Sequence, residues 1–426
     1  MPLNISEIAN HLLKDIEKFR KVIFTIVIFT GVLLWFFRFL ILWGFMDNPH
    51  GRNFWFMDFE CYYRAAQNYT IGGEIYGYGF YYPPISIFFF LPFSWIEFEF
   101  ASLLFTLLNL IVILAIFKLM LKILCLYKIN LRNAEKITLF AFIITFYPVA
   151  ISLTHGQINL IILLLVGIFY YYNIYKNKST LGAISLNLAS LFKLWPISLA
   201  IVELFHEKSK SLLFKSFFIF SVIWLVSLTF QSETVKMFIL NLLSFQSAKI
   251  YSIDEINTNY LTVLDPNASI FNMISKIGAI FGVSAFLVVS LNIFLKILIL
   301  LIVFAVLFIK SKRIQDVNIR AITVANLLIS TVLILSNVTW THYFTFLLFS
   351  IFFYFYVLDT NALERVLIFL TMSLLSLQEY IVFGAKLIGG SLALLFYIFQ
   401  PATLAYISYY ILSLYSLVAA KDNQAV

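Results

Sequence analysis

The chain has 426 residues, 62% of them hydrophobic and only 12% charged, where a soluble domain is roughly 45–50% apolar and about 25% charged. That balance excludes a soluble globular protein and marks a polytopic membrane protein. The net charge of +8 is spread over short loops between apolar runs, where basic residues set orientation; it forms no dense basic tract, which excludes a nucleic-acid binder.

The first element is a basic segment (Lys14, Lys18, Arg20, Lys21) followed by an apolar run over residues 22–43. That run is longer than the ~7–15-residue core of a signal peptide, so it is expected to be an uncleaved anchor with the N-terminus in the cytoplasm. A crossing needs about 20 apolar residues. Further spans are expected to begin near residues 100, 137, 158, 212, 280, 321, 342, 363 and 389. Lys118, Lys122, Lys128, Arg132 and Lys136 mark one cytoplasmic loop. Lys176 and Lys178 mark another, and Lys310, Lys312, Arg313 and Arg320 a third.

Residues 181–205 break the alternation if they cross once, because Lys208, Lys210 and Lys215 follow and belong in the cytoplasm as well. The stretch "LFKLWPIS" resolves this. Pro196 removes a backbone donor and disfavours a continuous helix, so two short helices that enter and return are expected. Non-helical backbone at that depth is tolerated only when buried in protein or lining a cavity, which predicts a cavity holding Lys193. The fold class is all-α and polytopic, with about twelve spans by the length rule. Both termini are expected in the cytoplasm, and residues 1–426 form one integral membrane domain.

In this topology residues 57–84, "THGQIN" (154–159), residues 231–266 and "NVTWTHYF" (337–344) all lie outside. The unusual polar residues therefore collect on one face of the membrane. Cys61 and Cys125 fall on opposite sides, which excludes a disulfide between them.

The first outer loop, residues 44–99, contains "MDFECYYRAAQNYTIGGEIYGYGFYYPP" from residue 57 to 84. Asp58, Tyr62, Ala65, Ala66 and Tyr69 recur at helical spacing and share a face, whereas Glu60 points nearly the opposite way. Gly72 and Gly73 end this interfacial helix, and Pro83–Pro84 is expected to open the next span. The aromatic residues alone suit an interfacial anchor; the carboxylate at the helix start points to a site, because acidic groups near hydrocarbon are costly. His155 and Gln157 flank Gly156 at an outer helix end, where a cap is the plainer reading. His342 follows Trp340 at the start of a span, where an interface role is the alternative. Lys193 needs an anionic partner or a cavity. Lys296 in "NIFLKILILL" has no motif around it and is explained by snorkelling or by facing the bundle.

The chain has no GxxxxGK[ST] loop, Rossmann glycine pattern, HExxH or Asp-x-Asp pair. A helical Asp58-x-Glu60 splays its two side chains, so no cytoplasmic nucleotide donor is expected.

Four segments carry a resemblance. "MDFECYYRAAQNYTIGGEIYGYGFYYPPISIFFFLP" is similar to a signature D-x(3)-YY-x-AA, G-x-x-x-Y and YPP with a later proline. "HGQINLIILLLV", "LASLFKLWPISL" and "NVTWTHYFTFLLF" follow in the same order. Together they resemble the polyprenol-phosphate-mannose-dependent mannosyltransferases, glycosyltransferase family 87 of the GT-C superfamily, over most of the chain. The resemblance implies a GT-C fold and an enzyme that takes a hexose, mannose in that family, from a polyprenyl phosphate. Transfer would occur outside the cytoplasm to a lipid- or glycan-linked acceptor, without cofactor or metal, and the resemblance favours a prokaryotic plasma membrane. Asp58 matches the family's aspartate in the first outer loop, the catalytic base. Lys193 matches the lysine of K-x-x-P, and Gln157 and Asn159 match GQ-x-N. His342 matches the first position of a Trp-x-His-His pattern whose second position is Tyr343 here. Residues 267–269 are a faint match to a further family segment.

The residues themselves suit that chemistry. Inversion at an anomeric carbon needs a base for the acceptor hydroxyl, which is assigned to Asp58. A departing lipid phosphate needs a cation, which is assigned to Lys193. Tyr62, Tyr82, His155, Gln157, Asn159 and His342 are the remaining candidates for binding donor or substrate. Two readings from other classes stay open. A lipid-glycan flippase or secondary transporter would show paired helix interruptions in two halves, and one clear break is seen. A glycan polymerase or ligase would want a large outer loop rich in Arg, and residues 231–266 contain none.

Overall fold

The computed structural model describes residues 16–42, 55–176, 178–206, 211–245, 252, 267–358, 360–388, 394 and 397–419. In chain order the α-helices of eight or more residues are α1 (Ile16–Leu42), α2 (Met57–Thr70), α3 (Ile87–Ser94), α4 (Phe98–Leu126), α5 (Asn133–Thr145), α6 (Tyr147–Thr154), α7 (Asn159–Phe169) and α8 (Ser179–Ser190). They continue with α9 (Ser211–Phe230), α10 (Ser232–Phe245), α11 (Ile270–Ile280), α12 (Ala285–Lys310), α13 (Val317–Leu335), α14 (Leu348–Tyr356), α15 (Ala362–Ile388) and α16 (Pro401–Val418). Among the described residues extended pairing is limited to one isolated bridge, between Asn267 and Trp340. The protein is all-helical, and its apolar helices mark it as membrane-embedded.

Among the described residues, six helices are long and apolar enough to cross a membrane: Glu17–Phe36, Phe98–Leu126, Ser211–Phe230, Ala285–Arg313, Val317–Leu335 and Pro401–Val418. A seventh results if Asn133–Thr145 and Tyr147–Thr154 form one broken span. Sequence length alone predicted about twelve. Part of the difference lies in expected crossings that are short: Asn159–Tyr175 and Thr341–Tyr356 are apolar but fall below crossing length, while the crossing expected near residue 389 begins outside the described residues. Pro83–Pro84 likewise opens no span. It leads into a 3₁₀ turn and α3, eight residues with Pro92 inside, and the crossing begins only at Phe98.

The chain divides into two compact units. One comprises Met1–Phe45, Leu131–Pro148 and Ser247–Val426. Here α1 lies against α5 at Gly31, where a Cβ would fall 2.2 Å from the Thr145 carbonyl oxygen. Glycine is required at so close a crossing, the usual device for helix packing in lipid. Phe24 stacks on Phe142 at 4.4 Å, and Arg20 pairs with Glu135 at 3.6 Å while lying over the Tyr356 ring. Helix α13 is buried along nearly its whole length. Asp316 caps it, its carboxylate accepting from the Asn318 and Ile319 N–H groups at 2.8 and 2.9 Å. Lys296, halfway along α12, is partly buried and lies 4.8 Å from the Phe271 ring centroid, which agrees with the bundle-facing reading.

The other unit comprises Met46–Asn130 and Val149–Gln246. Its core is aromatic: Phe59 stacks on Phe105 at 4.6 Å and meets Phe93 edge-on at 5.7 Å. The expected break in residues 181–205 is present. Helix α8 stops at Ser190, and after a turn carrying Lys193 a 3₁₀ segment runs over Trp195–Val202. The start of α9 returns to the start of α8. Lys215 donates to the Ser179 and Thr180 hydroxyls at 3.1 and 2.8 Å, and Ser211 bonds Ser179 at 2.9 Å. Lys208 and Lys210 lie outside the described residues.

Candidate functional site

The centre of the second unit is the junction between α2 and the turn at residues 154–157. A helix N-terminus leaves backbone N–H groups without intrahelical partners. In α2 they find carbonyls from far along the chain: the Phe56 N–H donates to the Thr154 oxygen at 2.8 Å, and the Asp58 and Phe59 N–H groups donate to the His155 oxygen at 3.1 and 3.2 Å. Phe56 takes a left-handed φ of 62° to turn the chain into this dock. Gly156 is essential to it. Its φ is +65°, and a Cβ there would sit 2.6 Å from the Cβ of Phe59, so any side chain meets both backbone strain and a clash.

This docking sets the side chains. The Asp58 Oδ2 lies 3.3 Å from His155 Nδ1, with 20% and 12% of the two side chains exposed. Glu60, as expected, faces away and pairs with Arg64 at 2.6 Å on the exposed side. Gly72, with φ +73°, follows the last turn of α2, and the Gly73 N–H closes it on the Asn68 carbonyl at 2.8 Å.

Beneath the junction lies a hydroxyl–amide cluster. Tyr62 donates to Gln157 Oε1 at 2.9 Å, and the Tyr82 hydroxyl stands 2.8 Å from that of Tyr62 and 3.4 Å from the same amide oxygen. Gln157 is 1% exposed and Tyr62 2%. Burial holds the Tyr62 hydroxyl well above the usual phenol range, reinforced by Tyr82 and Asp58, which keeps it a proton donor to Gln157. The carbonyl of Gln157 accepts a long bond from Asn109 at 3.5 Å. Asn159, the first residue of α7, is wholly buried.

Lys193 sits on the turn that Pro196 enforces, its ammonium buried. It lies 6.0 Å from the Tyr82 ring centroid. Phe192 packs edge-on to Phe89 at 5.2 Å and anchors the turn.

The expected residues Asp58, Tyr62, Tyr82, His155, Gln157, Asn159 and Lys193 therefore fall in one unit. His342 belongs to the other. It is buried on the 3₁₀ segment Thr341–Leu347, with Tyr343 at 4.9 Å and Trp340 at 5.5 Å. Residues 267–269, a faint match in the sequence, tie down the strap that leads to His342. Asn267 Oδ1 accepts from the Thr339 N–H at 2.9 Å, its amide donates to the Asn337 carbonyl at 2.9 Å, and the Ala268 N–H donates to the Thr339 carbonyl at 2.7 Å. The docking of Phe56 and Gly156 was missed by sequence reading; the only local signal was the glycine between His155 and Gln157.

The family model for glycosyltransferase family 87 matches residues 80–336, more than half of the chain. The chain belongs to glycosyltransferase family 87. It is a glycosyltransferase. The family 87 match takes in Tyr82, His155, Gln157, Asn159 and Lys193 and leaves Asp58, Tyr62 and His342 outside its bounds. No curated protein and no solved structure matched this family 87 chain.

Proposed function

We propose that this family 87 enzyme is an inverting transferase of GT-C type that moves a hexose, mannose by resemblance, from a polyprenyl phosphate to a lipid- or glycan-linked acceptor. Transfer takes place on the non-cytoplasmic side of the plasma membrane and needs no metal or cofactor. Asp58 takes the proton of the acceptor hydroxyl as that oxygen bonds to the anomeric carbon. The bond from that carbon to the phosphate oxygen breaks, and Lys193 faces the charge left on the lipid phosphate. His155 holds Asp58, and Tyr62, Gln157 and Asn159 support the junction from within. His342 is assigned to substrate binding.

The observation that supports this reading best is the placement of Asp58, anchored through its own backbone and carboxylate by His155 and in the same compact unit as Lys193. A base and a cation so arranged serve the two ends of one displacement. The test is transfer of labelled mannose from synthetic polyprenyl phosphate mannose by membranes containing the protein, with Asp58→Asn alongside. Transfer by wild type that vanishes in the variant is expected. Full transfer by Asp58→Asn removes the base assignment, and transfer only from another sugar phosphate removes the mannose.

A further inference from the structure

Tyr82 touches both halves of the site. Its hydroxyl lies 2.8 Å from Tyr62 and 3.4 Å from Gln157, and its ring centroid is 6.0 Å from the Lys193 ammonium. Its backbone is held as well: Tyr76 donates to the Tyr82 carbonyl at 3.3 Å, and Pro83 follows with its φ fixed by the ring. Tyr62 and Gln157 are almost wholly buried, whereas Tyr82 and Lys193 keep some exposed surface. Lysine is a flexible side chain bearing a compact point charge. An aromatic face attracts an ammonium without neutralising it. A carboxylate in the same place would compete with the substrate for the charge.

We propose that Tyr82 is a positioning residue: clamped at its hydroxyl by the buried Tyr62–Gln157 pair, it presents its ring to Lys193 and so sets where that cation meets the donor phosphate. This rests on the reading of Lys193 given above. It assigns the "YPP" turn and the "HGQ" turn to one task, with the buried amide acting on the lysine through a tyrosine.

The test is binding of short-chain polyprenyl phosphate, without sugar, to the full-length protein in detergent. Lys193→Gln is expected to weaken binding about tenfold or more, as loss of a charge-assisted contact does. Tyr82→Leu, which removes the ring face, should weaken it about threefold to thirtyfold. Tyr82→Phe keeps the face and loses only the clamp, so its loss should be smaller than that of Tyr82→Leu. The double variant Lys193→Gln/Tyr82→Leu should bind no more weakly than Lys193→Gln alone, because residues acting through one another are not additive. Additive losses in the double variant, or wild-type binding by Tyr82→Leu, overturn the positioning role while leaving the phosphate reading intact. Wild-type binding by Lys193→Gln overturns the phosphate reading and this inference with it.

Discussion

Asp58 and His155 are joined twice: the Asp58 N–H donates to the His155 carbonyl at 3.1 Å, and the Asp58 carboxylate lies 3.3 Å from His155 Nδ1. The backbone bond fixes where α2 begins, and the side-chain contact fixes which way the carboxylate points. The two contacts can therefore be separated by substitution.

Asp58→Asn keeps the backbone bond and nearly the same side-chain volume. It is expected to leave thermal unfolding in detergent close to wild type while lowering sugar transfer by about 10²–10⁴-fold, the usual contribution of a general base. Glu60→Gln is the matched control. It removes only an exposed i,i+4 pair with Arg64, worth about 0.3–0.5 kcal/mol, and should leave transfer unchanged. A large loss of transfer in Glu60→Gln would move the base assignment to that residue.

Gly156→Ala attacks the dock itself. Its positive φ and the 2.6 Å approach to Phe59 act together, and a strained backbone position alone costs about 1–3 kcal/mol. Loss of stability and loss of transfer should both appear, whereas the same substitution at Gly77, where a Cβ meets nothing within 4 Å, should be tolerated. Equal melting temperatures for the two variants would show that the turn does not carry the dock.

Tyr62→Phe removes the shorter of the two hydroxyl bonds to Gln157 Oε1, leaving only the 3.4 Å bond from Tyr82. A buried acceptor deprived of a partner costs about 1–3 kcal/mol. Chemical denaturation of the detergent-solubilised protein should report a drop in that range. No measurable drop would mean that Gln157 is held by other groups.

Cys61 provides a pH readout on α2. Burial, with the negative charges of Asp58 and Glu60 adding to it, pushes its thiol up to about 11. Only the thiolate is nucleophilic, so alkylation in a Cys125→Ser background should be slow at pH 8. The rate should climb close to tenfold per pH unit until it levels near the shifted value. A plateau at or below pH 9 would show that Cys61 does not feel those two carboxylates in a buried setting.

Much of α2 was legible in the sequence because it is encoded locally. Asp58, Tyr62, Ala65 and Ala66 follow the helical repeat, two glycines stop it, and Glu60 is carried to the opposite side by the same periodicity. The break at Pro196 was legible for the same reason, since a missing donor disrupts a helix wherever the segment lies. The number of crossings was not. Apolar length counts residues, but the chain at Pro92 and over Thr341–Leu347 spends them on short and 3₁₀ segments.

By itself, then, the sequence determined that this is a helical membrane protein, that Asp58 opens an amphipathic helix and that Lys193 sits at a break; composition, period and proline chemistry suffice for each. Only the tertiary structure decided what those residues meet. The carbonyls that cap α2 come from residues 154 and 155, and the hydroxyl of Tyr62 finds its amide 95 residues away. A hydrogen-bond donor states in the sequence only that it needs an acceptor; which acceptor it finds is settled by how the helices pack.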